Sequence, residues 1–360
     1  YCNTIHNTIL RSAAQQNTRK MMMSRNSNSG SGGVLVRLFV ALLLACCSTN
    51  NNSKNSAALF VVAVSCDSTT TDGVAPCVDI VDGDTGDDTA AGASSFTGKA
   101  LTTEAGVAVD AFLGIQYATQ ARFEPSVVKL TTTPEDEDAT VLGPSCPQYA
   151  SVWSDASDTD ADEDCLYLNI WRPSSTDTDD VNNNTTTTLL PVMVWIHGGA
   201  YIFGSGNNPN FDGANLAGNE QVIVITINYR LNVFGYMPFE NDDGGSTGGM
   251  NGILDQIRAL EWIQSRIADF GGDPEQVTIF GESAGAISVC QLSVIPEAKG
   301  LFLRGIMESG SCSFLGTVTY DKTLVDQAIA TALPGCNAEE EGGTVCGLDD
   351  LKKFSVQELL

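Results

Sequence analysis

The run Val277-Thr278-Ile279-Phe280-Gly281-Glu282-Ser283-Ala284-Gly285-Ala286 carries an apolar stretch into Gly-x-Ser-x-Gly and continues as Ile287-Ser288-Val289. Small residues flanking a serine at the end of an apolar run predict a strand that turns abruptly into a helix, with the serine hydroxyl exposed at the apex. The chemistry this suits is acyl transfer, in which the hydroxyl attacks a carbonyl carbon. Gly281 and Gly285 follow from crowding, because a Cβ at either would meet the neighbouring strand or helix. The helix beyond Ser283 brings backbone N–H groups and its positive dipole end near the reacting centre. A serine hydroxyl is a weak nucleophile and needs a base held by a third group. The chain has two histidines, His6 and His197, and neither stands where this mechanism would place its base.

Upstream, Pro191-Val192-Met193-Val194-Trp195-Ile196 has the pattern of a buried strand and runs into His197-Gly198-Gly199-Ala200-Tyr201. Small residues there let backbone N–H groups approach a substrate oxygen, as an oxyanion hole requires. Taken singly, Gly-x-Ser-x-Gly recurs in long chains and His-Gly-Gly-Ala is an ordinary tight turn. A strand leading into the second, upstream of the first, points to a functional pair.

Further motifs lie in the same order. Glu163-Asp164-Cys165-Leu166-Tyr167-Leu168-Asn169-Ile170-Trp171, the His-Gly-Gly-Ala-Tyr loop, Asn228-Tyr229-Arg230 and the serine turn together resemble type-B carboxylesterases and cholinesterases. Phe112 to Ala118 with Arg122-Phe123, Gly249 to Gln256, and Phe270 to Pro274 are similar to other segments of that family. The resemblance runs from about Thr97 to Leu360. It implies an α/β-hydrolase fold, with a mostly parallel central sheet and antiparallel N-terminal edge strands, and hydrolysis of carboxylic esters through an acyl-enzyme.

By position, the resemblance makes Ser283 the nucleophile and the N–H groups of Gly199, Ala200 and Ala284 the oxyanion-hole donors. Glu282 matches the acidic residue beside the nucleophile, and His197 matches a scaffold residue just before the donors. The resemblance pairs Cys146 with Cys165 and Cys336 with Cys346. One departure is large. In α/β-hydrolases the triad runs Ser, then Asp or Glu, then His, yet the residues after Ser283 contain no histidine. The expectation is therefore an N-terminal portion of a longer hydrolase, whose acid and histidine lie beyond Leu360. The same fold also serves non-catalytic cholinesterase-like adhesion and interaction proteins, which typically lose the nucleophile; Ser283 favours the enzyme. Trp153 lies between Cys146 and Cys165 but nearer Cys146 than the choline-site pattern, which argues against an acetylcholinesterase.

Composition bounds the partners. At 360 residues and 42% hydrophobic, the chain can bury a large core. A formal charge of −26 disfavours nucleic acid, because phosphate contacts call for Lys and Arg. Runs such as Ser154 to Asp162 and Thr176 to Asp180 read as solvated loops. The expected partner is a small-molecule or lipid ester, with no cofactor and no metal.

Residues 1–48 read as upstream sequence and a signal peptide. Residues 1–20 precede Met21 and are open to being untranslated. Ten apolar residues from Leu38 to Cys47 form a signal core too short for a comfortable membrane span. Ala57 to Val64 is a second apolar stretch, which leaves the cleavage point open, with an uncleaved anchor as the alternative. Residues 49–95 form a low-complexity lead-in, expected to be flexible from Asp67 to Ser95, and residues 96–360 the hydrolase part.

Eleven cysteines in an exported chain suggest disulfides. Cys66 and Cys77 are a further candidate pair, Cys290 is expected to be a buried free thiol, and Cys312 is unassigned. Sequons at Asn51, Asn183 and Asn184 suit a secreted glycoprotein.

Periodicity gives the architecture. Gln221 to Tyr229 reads as a buried parallel strand. Ile253, Leu254, Ile257, Leu260, Ile263, Ile267 and Phe270 recur at helical spacing and predict a helix on a sheet face. Gly305 to Gly310 predicts a strand after the serine turn. Strands alternating with helices make an α/β protein.

Overall fold

The computed structural model describes residues 75–80, 94–130, 137–149, 161–174, 188–237, 249–312, 333 and 348–360. The strands among them are β1 (Cys77–Ile80), β2 (Ser94–Thr97), β3 (Lys99–Thr102), β4 (Ala108–Gln116), β5 (Ala118–Thr119), β6 (Val127–Val128), β7 (Glu137–Asp138), β8 (Tyr167–Pro173), β9 (Leu190–Ile196), β10 (Ile223–Ile227), β11 (Gly272–Glu282) and β12 (Arg304–Glu308). The helices used below are α1 (Ala214–Glu220), α2 (Asn232–Tyr236), α3 (Asn251–Arg266) and α4 (Ala284–Leu292).

The central sheet has the order β12-β11-β9-β10-β8-β4-β3. The strands from β12 to β10 run parallel, and β8, β4 and β3 add antiparallel pairings at the other edge. This is the fold class that the alternation of apolar runs predicts. β10 is buried at all five residues, as a near-continuous apolar strand must be when both sheet faces are covered. On one face Val194, Ile225 and Ile279 pack in a single core with Ile253, Ile257, Leu260 and Ile263 of α3. On the other, Trp195 meets Phe211 and Phe280 with ring centroids 5.0 and 4.9 Å apart. The first tight turn of α1 also lies on this face, where a Cβ on Gly213 would come within 2.8 Å of Trp171 and Val224.

Two sequence expectations need correction. The first is the flexible lead-in: within it, β1 pairs antiparallel with β2, and Val78 and Ile80 are buried. The alternation Cys-Val-Asp-Ile is a four-residue strand pattern that the polar composition around it hides. The second is Cys290, which is not a free thiol but is bonded to Cys312. The reason is geometric. A Cβ on Gly310 would touch the Cβ of Ala286 at 2.7 Å, so the chain leaving β12 lies along α4. Cys290 lies one helical turn, about 6 Å, beyond Ala286 on the same side of α4, within reach of Cys312 two residues after Gly310. Cys146 and Cys165 are also joined, with Cα atoms 4.9 Å apart. Cys77 is disulfide-bonded. Its expected partner Cys66, and the expected pair Cys336 and Cys346, lie outside the described residues.

Candidate active site

Ser283 stands between β11 and α4 with φ 54° and ψ −117°. A non-glycine residue in such a conformation costs about 1–3 kcal/mol and persists only where its surroundings fix it. Here they do. The Ser283 N–H donates to the carbonyl of Glu308 at 2.9 Å, and the Ser283 carbonyl accepts from Ile287 N–H at 3.1 Å. A Cβ on Gly281 would lie 2.6 Å from the Ile196 carbonyl oxygen, and one on Gly285 only 2.0 Å from the same atom. The two glycines thus let β11 and α4 close on the end of β9.

The loop after β9 turns just as sharply. Gly199, Ala200 and Tyr201 have φ values of 106°, 53° and 62°, three consecutive residues with positive φ. A Cβ on Gly199 would fall 1.9 Å from the Phe203 carbonyl oxygen, so only glycine fits. The Gly199 carbonyl closes the turn by accepting from Ile202 and Phe203 at 3.0 and 3.1 Å. A Cβ on Gly198 would meet the Glu282 carbonyl at 2.8 Å and the Ser283 Cβ at 3.3 Å, which packs the loop directly on the serine turn. Within the described residues the N–H groups of Gly199, Ala200 and Ala284 make no hydrogen bond to the protein. Ala284 opens α4, whose N-terminus has no side-chain cap. Uncommitted N–H groups beside a serine hydroxyl are what stabilises a tetrahedral oxyanion.

His197 is 1% exposed, and its Nδ1 lies 2.8 Å from the Gly198 carbonyl oxygen. Because a carbonyl only accepts, Nδ1 carries the proton and Nε2 is the bare acceptor. Nε2 is buried and has no partner among the described residues, and burial pushes the pKa down from 6.5 to about 4. The ring is therefore neutral. It is boxed by Tyr229, which stacks on it, and by Gly204, where a Cβ would come within 2.5 Å of Nδ1.

The sequence motif Asn228-Tyr229-Arg230 acquires its role here. Asn228 accepts from Ser205 Oγ at 3.0 Å and Gly206 N–H at 2.8 Å and donates to the Pro144 carbonyl at 3.0 Å, holding the far end of the loop. Arg230 grips Asp255 of α3 with two N–H···O bonds of 2.8 and 2.7 Å, and both side chains are buried. Polar residues following a buried, near-continuous apolar strand were the available signal.

Glu282 reaches solvent, yet neighbouring protein desolvates its carboxyl enough to raise the pKa. Its register partner across the parallel β11–β12 pair is Glu308, raised by burial and then by the Glu282 charge. Sequence reasoning missed Glu308. Glu282 before the serine and Glu308 at the end of the next strand stand level only once those strands pair.

A cavity of about 530 Å³ lies elsewhere, lined by Arg122, Glu163, Asp164, Arg230 and Phe234 among others, and includes neither Ser283 nor the Gly199 loop. Its cations are already engaged, Arg122 with Glu163 and Arg230 with Asp255, so the chemistry is better placed at Ser283. Among the described residues no cluster of His, Cys, Asp and Glu is arranged to hold a metal ion. His6, Trp153, Asn51, Asn183 and Asn184 lie outside the described residues.

The carboxylesterase family model matches residues 89–360. The chain is 41% identical over 226 residues to the para-nitrobenzyl esterase of Bacillus subtilis (strain 168), covering 62% of this chain and 42% of that protein. It is 39% identical over 259 residues to acetylcholinesterase-1 of Trittame loki, covering 69% and 44%, and 42% identical over 264 residues to carboxylesterase 1C of Rattus norvegicus, covering 70% and 46%. A solved PNB esterase structure matches with a TM-score of 0.58 at 38% identity, over 74% of this chain and 50% of that one. The chain thus spans less than half the length of these curated relatives.

Proposed function

The chain belongs to the carboxylesterase family, and we propose that it carries the nucleophile and oxyanion hole of a serine hydrolase of carboxylic esters. The Ser283 hydroxyl adds to the ester carbonyl as its proton passes to a base. Charge collects on the former carbonyl oxygen and is met by the N–H groups of Gly199, Ala200 and Ala284. The tetrahedral adduct collapses, the alcohol leaves with a proton, and an acyl-enzyme remains on Ser283; water repeats the sequence and releases the acid. The observations that support this reading are the strained Ser283, the Gly198 turn packed on it, and the N–H groups of Gly199, Ala200 and Ala284, which have no protein partner among the described residues.

His197 is unsuited to be the base, since its Nδ1–H is committed to Gly198 and the ring is walled in by Tyr229. It shapes the loop. Glu282 and Glu308 set a negative field beside the serine. In this reading the acid and histidine of the triad come from outside these 360 residues, and a protein ending at Leu360 keeps only the modest acceleration that binding and the oxyanion hole give. The substrate is a small-molecule or lipid ester. Export through the secretory pathway, with glycans at Asn51, Asn183 and Asn184, is part of the proposal and is supported by the two disulfides. Among the described residues no helix is long and apolar enough to cross a membrane.

The test is hydrolysis of short-chain nitrophenyl esters by the complete natural protein. Ser283→Ala should reduce it to background, and a chain ending at Leu360 should be close to background too. Wild-type turnover in folded Ser283→Ala would reject the reading.

A further inference from the structure

The donors of the proposed oxyanion hole come from segments far apart in sequence, Gly199 and Ala200 on the loop after β9 and Ala284 on α4. Their spacing has to be fixed by contacts between loop and helix. Tyr201 makes such a contact. Its hydroxyl donates to the Ala284 carbonyl at 2.9 Å and accepts from the Ser288 hydroxyl at 3.2 Å. Ser288 Oγ in turn accepts from Gln256 Nε2 at 3.1 Å. Every donor in this series points the same way, from Gln256 on α3 through Ser288 on α4 and Tyr201 on the loop to Ala284, so each bond polarises the next.

The series is well fixed. Ser288 and Gln256 are fully buried. The Tyr201 ring lies against Tyr236 with centroids 4.7 Å apart, and its carbonyl accepts from Asn232 N–H at 2.7 Å. Burial also raises the pKa of the Tyr201 hydroxyl, which therefore stays a donor through the neutral range. The φ of 62° at Tyr201 is a costly conformation for an aromatic residue. A loop held that way directly after Ala200 needs an anchor.

We propose that Tyr201 is a positioning residue for ester hydrolysis: its hydroxyl ties the oxyanion loop to the first turn of α4 and sets the spacing between the Ala200 and Ala284 N–H groups. The inference rests on the reading of Ser283 as nucleophile. A displaced donor weakens the tetrahedral state more than the bound ester, so the loss falls on kcat.

The experiment is Tyr201→Phe in the complete natural protein, which keeps the ring against Tyr236 and removes only the bridge. We expect kcat to fall about tenfold with KM within about twofold. Affinity for an aryl trifluoromethyl ketone, which forms a tetrahedral adduct on a serine, should fall in the same proportion. Ser288→Ala, which unties the hydroxyl from its other side, should shift both quantities the same way by a smaller factor. A lower melting temperature with kcat and ketone affinity unchanged would leave Tyr201 a packing residue and overturn the inference. If Tyr201→Phe does not fold, Ser288→Ala decides by the same two readouts, and wild-type values there overturn it. Ser283→Ala run alongside separates the two failures, since activity surviving that change rejects the nucleophile assignment itself.

Discussion

Tyr229 lies flat against His197, with ring centroids 4.3 Å apart and planes 14° from parallel, and donates its hydroxyl to the His197 carbonyl at 2.7 Å. The only histidine among the described residues is thus clamped from both its ring and its backbone. His197→Gln should keep more than about a tenth of wild-type kcat/KM, as suits a scaffold and not a base. The pH dependence of stability gives an independent check. Burial lowers the folded pKa to about 4 from 6.5, so the unfolded chain binds a proton in that interval that the folded protein refuses. Stability from this group is complete above pH 6.5 and is lost as pH falls toward 4, on the order of 3 kcal/mol in all. Denaturant titrations across that window should show a shallower slope in His197→Gln; an unchanged slope contradicts the assignment.

The closest approach at the serine turn is at Gly285, where a Cβ would lie 2.0 Å from the Ile196 carbonyl oxygen. Gly285→Ala should cost more than about 3 kcal/mol and eliminate hydrolysis, because neither backbone has room to withdraw. Gly300 has φ 88°, and a Cβ there would meet nothing within 4 Å among the described residues, so Gly300→Ala should cost only about 1–2 kcal/mol and leave kcat alone. Thermal melts of the pair decide, and a loss at Gly285 no larger than that at Gly300 would show that crowding against the Ile196 carbonyl does not set the requirement.

Asp255 is fully buried and is held by three groups of Arg230, its backbone N–H, Nε and a terminal guanidinium nitrogen, at 3.1, 2.8 and 2.7 Å. Asp255→Asn leaves a buried guanidinium without its counter-charge and should destabilise the protein by about 3 to 5 kcal/mol. Urea titration reads this directly, and a loss under about 1 kcal/mol would mean that the pair is solvated.

Peptide mapping without reduction, on protein from a secretory host, should recover Cys146 linked to Cys165 and Cys290 linked to Cys312. Alkylation of Cys290 in unreduced, denatured protein would show that the second bond does not form.

What the sequence made legible was local. The spacing of Ile253, Ile257, Leu260 and Ile263 located α3, and the apolar run ending at Gly281 located β11, because each buries one continuous surface. The abrupt turn at Ser283 was legible from its small residues. What was not legible depends on distant segments meeting. Cys290 meets Cys312 only because the chain leaving β12 tracks α4, and Glu308 stands level with Glu282 only by the register of a parallel pair. The hydroxyl of Tyr201 reads as one more aromatic residue until α4 places the Ala284 carbonyl before it. β1 was hidden because four alternating residues weigh little against a long polar surround.

Covalent capture decides whether Ser283 is the nucleophile. The complete natural protein should be treated with an organophosphonate ester probe, digested, and mapped by mass spectrometry while residual esterase activity is followed. One adduct is expected, on the peptide carrying Gly281-Glu282-Ser283-Ala284-Gly285, rising in step with loss of hydrolysis and absent from folded Ser283→Ala. Full inactivation with the adduct on another residue, or labelling that persists in Ser283→Ala, would contradict it.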